Sequence, residues 1–322
     1  MRDLHILPKF RDGLSYLYVE HCRVDQDSKA IALHDEGGRT PVPCASLALL
    51  MLGPGTTVTH AAVRTLAEHG CTVLWCGEGA VRMYGQGLGE TRRSSGLLRQ
   101  ARAWADPEQH QRVVIELYSM RFGERLSSGL DLKQIRGKEG VRVREAYAAA
   151  SRQTGVPWAG RSYDRGDWRS TDPVNRCLSA ANSCLYGVCH AAILSAGYSP
   201  GLGFIHTGKQ LSFVYDVADL YKTEVTIPAA FEAVAECDSG DLERTVRVRL
   251  RDHFSRTHLL ARVVDDLDRL FDAKAVDEYT RIGDFDVDAA SPGAIWDPAG
   301  PMDGGVNYSE AREEEGFASH DT

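Results

Sequence analysis

The chain has 322 residues, of which 43% are hydrophobic, and a formal net charge of −8 at pH 7. That length allows two domains, or one domain with a large appendage. No apolar run reaches the roughly 18 residues that span a bilayer, and the opening "MRDLHILPKFRDG" lacks the apolar stretch of a signal peptide. We therefore expect a cytoplasmic protein.

The negative charge is concentrated near the C-terminus. Residues 284–322 contain ten acidic residues and one arginine, whereas the other 283 residues carry 36 basic and 35 acidic side chains. Binding to a polyanion depends on local clusters of cations and not on the total charge. A nucleic-acid partner is therefore compatible with this composition.

Residues 1–87 are predicted to form a small N-terminal β domain, sandwich-like and interrupted by one helix. The runs "SYLYVEH", "AIALHD", "SLALLML", "CTVLWC" and "VRMYG" are rich in aliphatic and aromatic residues and alternate with turn signals such as "LGPGT". The helix is "THAAVRTLAEHG", with Thr59 as its N-cap and Gly70 at its end. A composition break then indicates a linker over residues 88–96.

Residues 97–283 are predicted to form a larger, all-α catalytic domain. Helical periodicity recurs through this region, and the segment 177–195 is apolar enough to be its buried central helix. Residues 284–322 are rich in Pro, Gly and acidic residues, which is typical of a disordered tail. The predicted fold class is α+β.

The eight cysteines lack the spacing of a zinc site. No C-x-x-C occurs, and the two closest pairs are each five residues apart, which places the two side chains of a pair on different faces of a strand or helix. We expect buried free thiols.

The segment "GLGFIHTGKQLSFVYDVADLYK", residues 201–222, nearly matches a phosphate-binding loop. A functional loop of that kind follows a buried strand and has a Ser or Thr after its Lys. Here Gln210 follows Lys209, and the preceding sequence indicates the end of a helix. The segment is therefore not predicted to bind a nucleotide.

The same segment contains carboxylates at a spacing that suits a metal ion. Asp216 and Asp219 would lie one turn apart on the same face of a helix spanning 211–222, directed at a cleft. His206 precedes them in a glycine-flanked loop. Two carboxylates and an imidazole suit Mg²⁺ or Mn²⁺ better than a structural zinc. The alternative is a solvated helix face with a capping histidine.

Glu139 lies in a basic stretch, "KQIRGKEGVRVR". It is flanked by Gly137 and Gly140, which are costly within a helix and indicate close approach by a ligand or another backbone. A carboxylate among cations suits phosphodiester chemistry, which needs a metal ligand and phosphate contacts. A helix face with ordinary ion pairs remains the alternative.

Several segments together resemble one known family, the CRISPR-associated integrase Cas-one, and specifically its type I-E branch. They are "PGTTVTHAAVRTLAEHG", "GEGAVRMYG", "RGKEGVRVR", "GRSYDRGDW", "SCLYGV" and "GFIHTGKQLSFVYDVADLYK". The resemblance covers residues 10–275 approximately. It implies a β domain joined to a helical domain with one divalent metal site.

The resemblance also implies roles for individual residues. The metal ligands would be Glu139, His206 and Asp219, with Asp216 as a further catalytic carboxylate. The candidate DNA-binding residues are His21, Arg64, Arg82, Arg136, Arg142, Tyr163, Tyr186, Lys209, Tyr215 and Lys222. His21 stands where relatives have a tyrosine wedge, and the acidic tail has no clear match.

The implied reaction is integration of DNA with Mg²⁺ or Mn²⁺ as cofactor. A 3′-hydroxyl of a short captured DNA attacks a phosphodiester of the CRISPR repeat, so the protein itself supplies no nucleophile. The expected partners are DNA, a second copy of the chain in a homodimer, and the small protein Cas-two. The alternatives are a general metal-dependent nuclease and a non-catalytic DNA-binding scaffold.

Overall fold

A computed structural model describes residues 15–77, 83–87, 94–126, 131–161, 172–236 and 241–272. Over these ranges the N-terminal part contains two small β-sheets and one helix, and the remainder is helical. The predicted α+β class is therefore confirmed. Arg82, Tyr163 and the predicted tail lie outside the described residues.

The first sheet has the strand order β1-β5-β7-β8. Its strands are β1 (Ser15–Val19), β5 (Leu47–Leu52), β7 (Thr72–Cys76) and β8 (Met83–Gln86). The first three are parallel and β8 is antiparallel to β7. Both faces are covered, since Leu50 and Leu52 belong to the N-terminal core while Leu49 and Met51 belong to the core of the helical region. Burial on both faces explains the continuous apolar run of β5.

The second sheet has the order β4-β3-β2-β6. Its strands are β2 (Arg23–Asp27), β3 (Ala30–Asp35), β4 (Gly38–Val42) and β6 (Thr57–Val58). Helix α1 (His60–Glu68) begins at the predicted cap, where the Thr59 hydroxyl accepts a hydrogen bond from the amide of Ala62. Its buried Leu66 packs in the N-terminal core with Val24 and Ile31.

The helical region follows. Its helices are α2 (Ser95–Ala105), α3 (Pro107–Phe122), α4 (Leu132–Thr154), α5 (Pro173–Ser195), α6 (Ser212–Ala218), α7 (Thr226–Glu236), α8 (Leu242–Arg256) and α9 (Leu259–Leu270). Helix α2 starts at Ser95, one residue before the predicted end of the linker. The domain boundaries themselves remain a prediction.

Helix α5 is the buried central helix that the sequence predicts. It contacts α6, α7, α8, α9 and strand β5. It is long and apolar enough to cross a membrane by composition alone, but 83% of the relevant window is buried inside the protein. Its composition is therefore that of a core helix.

Free thiols account for the cysteines in the described part of the chain. None of the seven that are described forms a disulfide, and all seven are buried. Burial raises the pKa of the Cys76 thiol to about 12. The prediction of buried free thiols is confirmed for these seven, and Cys237 lies outside the described residues.

Two sequence expectations about the segment 211–222 are wrong. Helix α6 ends at Ala218, and Asp219 is its C-cap. Asp216 does not face a cleft, because it is completely buried. It contacts the loop that precedes α6, as described below.

Candidate active site

Asp216 organises the loop that carries His206. One carboxylate oxygen, Oδ2, accepts hydrogen bonds from the amides of Phe204 (2.6 Å) and Ile205 (3.0 Å). The other, Oδ1, accepts from the amide of His206 (2.9 Å) and lies 2.7 Å from Nδ1 of the His206 ring. A buried acceptor with four donors fixes the geometry of its surroundings. Asp216 is therefore a positioning residue and not one that meets a substrate.

This contact also determines what the His206 ring presents to its surroundings. With Nδ1–H donating to a carboxylate, Nε2 is left as the free position of the ring. Nε2 lies 3.9 Å from Oδ2 of Asp219, and the His206 side chain is 43% exposed. An imidazole oriented by a carboxylate through its other nitrogen is the usual arrangement of a histidine metal ligand.

Asp219 is paired with two cations. Its Oδ1 lies 2.6 Å from Nζ of Lys222, and its Oδ2 lies 3.2 Å from the Arg121 guanidinium. Burial favours the neutral acid, but the charges of Lys222 and Arg121 outweigh it and lower the pKa of Asp219 below its ordinary value. Asp219 is therefore ionised at neutral pH.

Glu139 faces the same region from α4. Its Oε2 accepts a hydrogen bond from Nε of Arg142 at 2.9 Å, and its Oε1 from the terminal nitrogen at 3.3 Å. Arg142 also donates to the Thr223 hydroxyl at 2.7 Å, which ties α4 to the turn after Asp219. In this structure Arg142 therefore binds a carboxylate of the site, whereas the sequence predicts that it binds DNA.

Arg121 joins the two carboxylates and was not predicted. Its side chain is 3% exposed, and its guanidinium lies 3.8 Å from Oε1 of Glu139 as well as beside Asp219. The sequence does contain a signal, because Val114, Leu117, Tyr118 and Arg121 share one face of α3 and all are buried. A cation on an apolar helix face needs an anionic partner in the core.

Aromatic rings border the exposed side of this cluster. Nζ of Lys222 lies 4.9 Å from the centre of the Tyr186 ring. The rings of Tyr186 and Tyr215 meet edge to face at 5.1 Å, and Tyr215 meets His206 in the same way at 5.9 Å. The structure therefore brings three predicted DNA-binding residues, Tyr186, Tyr215 and Lys222, to the predicted metal ligands.

Apart from Arg142, the other DNA-binding candidates lie outside the cluster or outside the described residues. Arg136 is exposed and borders a cleft beside Ile205, and Lys209 is exposed in the loop before α6. Arg64 is exposed on α1 and lies 3.7 Å from Glu68. His21 is exposed, in a turn of the β region, where its φ is +50°.

The side chains present fit a hard divalent cation by their chemistry. Oε1 of Glu139 and Oδ2 of Asp219 both face Arg121, and Nε2 of His206 lies near the same Oδ2. Among the residues that the structure describes, no three His, Cys, Asp or Glu side chains stand at metal-binding geometry. The oxygens of Glu139 and Asp219 are paired with cations instead, so a metal ion bound by them would take the place of these ion pairs.

The charges of the cluster balance. Arg121, Arg142 and Lys222 pair with Glu139 and Asp219, and Arg121 also donates to the backbone carbonyl of Asp216, so three cations stand near the three carboxylates of Glu139, Asp216 and Asp219. Adding a divalent ion would leave a net positive site in a partly buried setting. Such a site attracts the phosphates of a polyanion.

Comparison with known proteins identifies the family. Residues 116–257 match the family model described as CRISPR associated protein Cas1. A CRISPR-associated endonuclease Cas1 2 of Thermus thermophilus is 57% identical over 95% of this chain and 94% of its own length. The CRISPR-associated endonuclease Cas1 of Escherichia coli K12 is 45% identical over 79% of this chain and 83% of its own.

A solved structure agrees with these sequence matches. The crystal structure of a TtCas1–DNA complex superimposes with a TM-score of 0.78 at 56% identity, covering 91% of this chain and 100% of that one. Sequence and fold therefore match along most of the chain, and the cluster lies within the residues 116–257 that the family model matches. The chain belongs to the Cas1 family of CRISPR-associated proteins.

Proposed function

We propose that this chain is a metal-dependent DNA integrase and endonuclease of CRISPR adaptation. The observation that carries the proposal is the convergence of Glu139, His206 and Asp219, with the His206 ring oriented by the buried Asp216. The names of the relatives, which are CRISPR-associated endonucleases, support it. The assignment to the type I-E branch remains part of the proposal.

In this proposal Glu139, His206 through Nε2, and Asp219 hold a Mg²⁺ or Mn²⁺ ion. When bound, such an ion supplies Lewis-acid polarisation of a phosphoryl oxygen and stabilises charge on the leaving oxygen. Asp216 holds the His206 ring in the tautomer that leaves Nε2 free. Lys222, which lies beside Asp219 and over the Tyr186 ring, would donate to a phosphate oxygen at the same site.

The reaction is a transesterification. The 3′-oxygen of the captured DNA forms a bond to a repeat phosphorus, the existing P–O bond breaks, and the released 3′-oxygen takes up a proton. The nucleophile belongs to the DNA. This agrees with the seven described cysteines, which are buried and so are poor thiolate nucleophiles.

The DNA surface would surround the cluster. Four proposed contacts lie on or beside the cluster, and all four are at least partly exposed: Tyr186, Tyr215, Lys209 and Arg136. His21, Arg64, Arg82 and Tyr163 remain proposed contacts. The proposed assembly is a homodimer that works in the cytoplasm with Cas-two.

One assay separates this proposal from its rivals. The purified protein is mixed with its Cas-two partner, labelled short duplex DNA and a plasmid that carries a repeat, with Mn²⁺, Mg²⁺ or chelator. Metal-dependent joining of the label to the plasmid supports the integrase. Cutting without joining indicates a general nuclease, and binding without either indicates a scaffold.

A further inference from the structure

Three side chains of α2 and α3 bind the main chain of the loop that leads to His206. We call Gln100, Trp104 and His110 the α2–α3 clamp. The Gln100 side chain is completely buried. Its amide donates to the carbonyls of Ser199 and Leu202, both at 3.0 Å, and its oxygen accepts from the amide of Ser199 at 2.7 Å.

The other two members continue along the loop. The indole Nε1–H of Trp104 donates to the carbonyl of Gly203 at 3.1 Å. Nε2 of His110 lies 3.0 Å from the carbonyl of Phe204, and its Nδ1 lies 3.1 Å from the carbonyl of Trp104. The consecutive carbonyls of Leu202, Gly203 and Phe204 are therefore each contacted by a different side chain of the clamp.

The same loop is held on its amide side by Asp216, which accepts from residues 204, 205 and 206. Two close approaches add to this restraint. A Cβ at Gly203 would lie 2.2 Å from the His206 carbonyl oxygen, and a Cβ at Gly96 would lie 2.8 Å from the carbonyl oxygen of Ala196. The loop is thus wound tightly, and α2 lies directly against the end of α5.

We infer that Gln100, Trp104 and His110 are positioning residues for His206. Loop residues 201–207 belong to no helix or strand, so side chains supply hydrogen bonds that regular structure would otherwise provide. Loss of one bond lets the loop open and moves the imidazole away from Glu139 and Asp219. This inference rests on the proposed function, in which His206 is a metal ligand.

The test uses Trp104→Phe, which removes the indole N–H and keeps an aromatic ring. Trp75→Phe is the matched control. Trp75 lies on β7, and its exposed fraction of 36% is similar to the 44% of Trp104. Hydrogen exchange, followed by mass spectrometry, reports opening of peptides covering 199–211. Titration with Mn²⁺ alone reports the affinity of the site.

One lost neutral hydrogen bond changes an opening equilibrium by about two- to tenfold. We expect Trp104→Phe to speed exchange over 199–211 and to weaken Mn²⁺ binding by about this factor, with Trp75→Phe like wild type. Gln100→Glu, which turns a carboxylate towards two carbonyls, has a larger effect in the same direction.

The inference is overturned if Trp104→Phe leaves exchange and Mn²⁺ affinity at wild-type values. It is also overturned if exchange speeds up while Mn²⁺ affinity does not change, since the clamp is then only structural. Failure of the proposed function gives a different pattern. In that case His206→Ala binds Mn²⁺ with the same affinity as the wild-type protein. The clamp then has no role in metal binding, whatever the exchange rates of its variants.

Discussion

Replacing Asp216 by Asn tests whether this residue supports the site from within the core. The Asp216 carboxylate accepts four hydrogen bonds, two at each oxygen. Three of the donors are backbone amides, and the fourth is the ring of His206. Asparagine keeps one acceptor oxygen, but its NH₂ group replaces the other oxygen and faces the two donors that this oxygen bound. The substitution therefore removes at least two hydrogen bonds without changing the volume of the side chain.

The expected cost follows from these contacts. A hydrogen bond to a charged acceptor contributes about 1.5–3 kcal/mol, and the loss leaves buried amides without a partner. We therefore expect the free energy of unfolding to fall by about 3–5 kcal/mol, a large part of the roughly 5–15 kcal/mol of a typical protein. DNA joining would be lost together with stability.

Urea unfolding followed by circular dichroism measures this change. Asp252→Asn is the control, since the Asp252 side chain is 66% exposed and pairs with the neighbouring Arg251 on α8. The control should have the wild-type midpoint. An Asp216→Asn protein that is inactive but unfolds at the wild-type midpoint would refute this reasoning, because Asp216 would then act on the substrate directly.

Three further predictions concern the core and the glycines. Burial lowers the pKa of His190 to about 4, so the unfolded chain binds an extra proton between pH 6.5 and 4. The free energy of unfolding is therefore not reduced by His190 above pH 6.5. Below that pH it falls by about 1.4 kcal/mol per pH unit towards pH 4. Urea midpoints at several pH values should lose this component in His190→Leu, and an unchanged slope would contradict the assignment. Gly203→Ala should abolish DNA joining, because the new Cβ would lie 2.2 Å from a carbonyl oxygen of the loop; joining at the wild-type rate would show that the loop adjusts. Gly137→Ala meets no protein atom within 4 Å, so it should stabilise α4 by about 1 kcal/mol in urea unfolding. Fluorescence anisotropy should show weaker DNA binding by the same variant, and equal affinity would remove the argument that DNA approaches this face.

The sequence predicts the fold class and the members of the candidate site better than their arrangement. Periodicity and composition identify α1 and the buried α5, and the family resemblance selects Glu139, His206 and Asp219 from the candidates that spacing and composition provide. Strands β2 and β4 escape prediction because they are mostly polar, and β6 because it has two residues. Short strands of this kind are defined by their partners and not by their own residues.

The contacts within the site depend on tertiary structure. Spacing places Asp216 and Asp219 on one helix face, but α6 ends between them and Asp216 turns to a loop ten residues earlier. Gln100 contacts Ser199 and Leu202, which are 99 and 102 positions further along the chain, and no local pattern specifies such contacts. Arg121 is intermediate, because its apolar helix face predicts burial but not its partner.

The central claim is that Glu139, His206 and Asp219 form one metal-dependent site for DNA chemistry. The most direct measurement is the initial rate of Mn²⁺-dependent DNA joining by Asp219→Asn beside the exposed control Asp252→Asn, with Cas-two present in both. Asp219 bears an oxygen near both Arg121 and His206, so its loss should reduce the rate by at least about a hundredfold while the control retains it. Equal rates for the two variants would contradict the account.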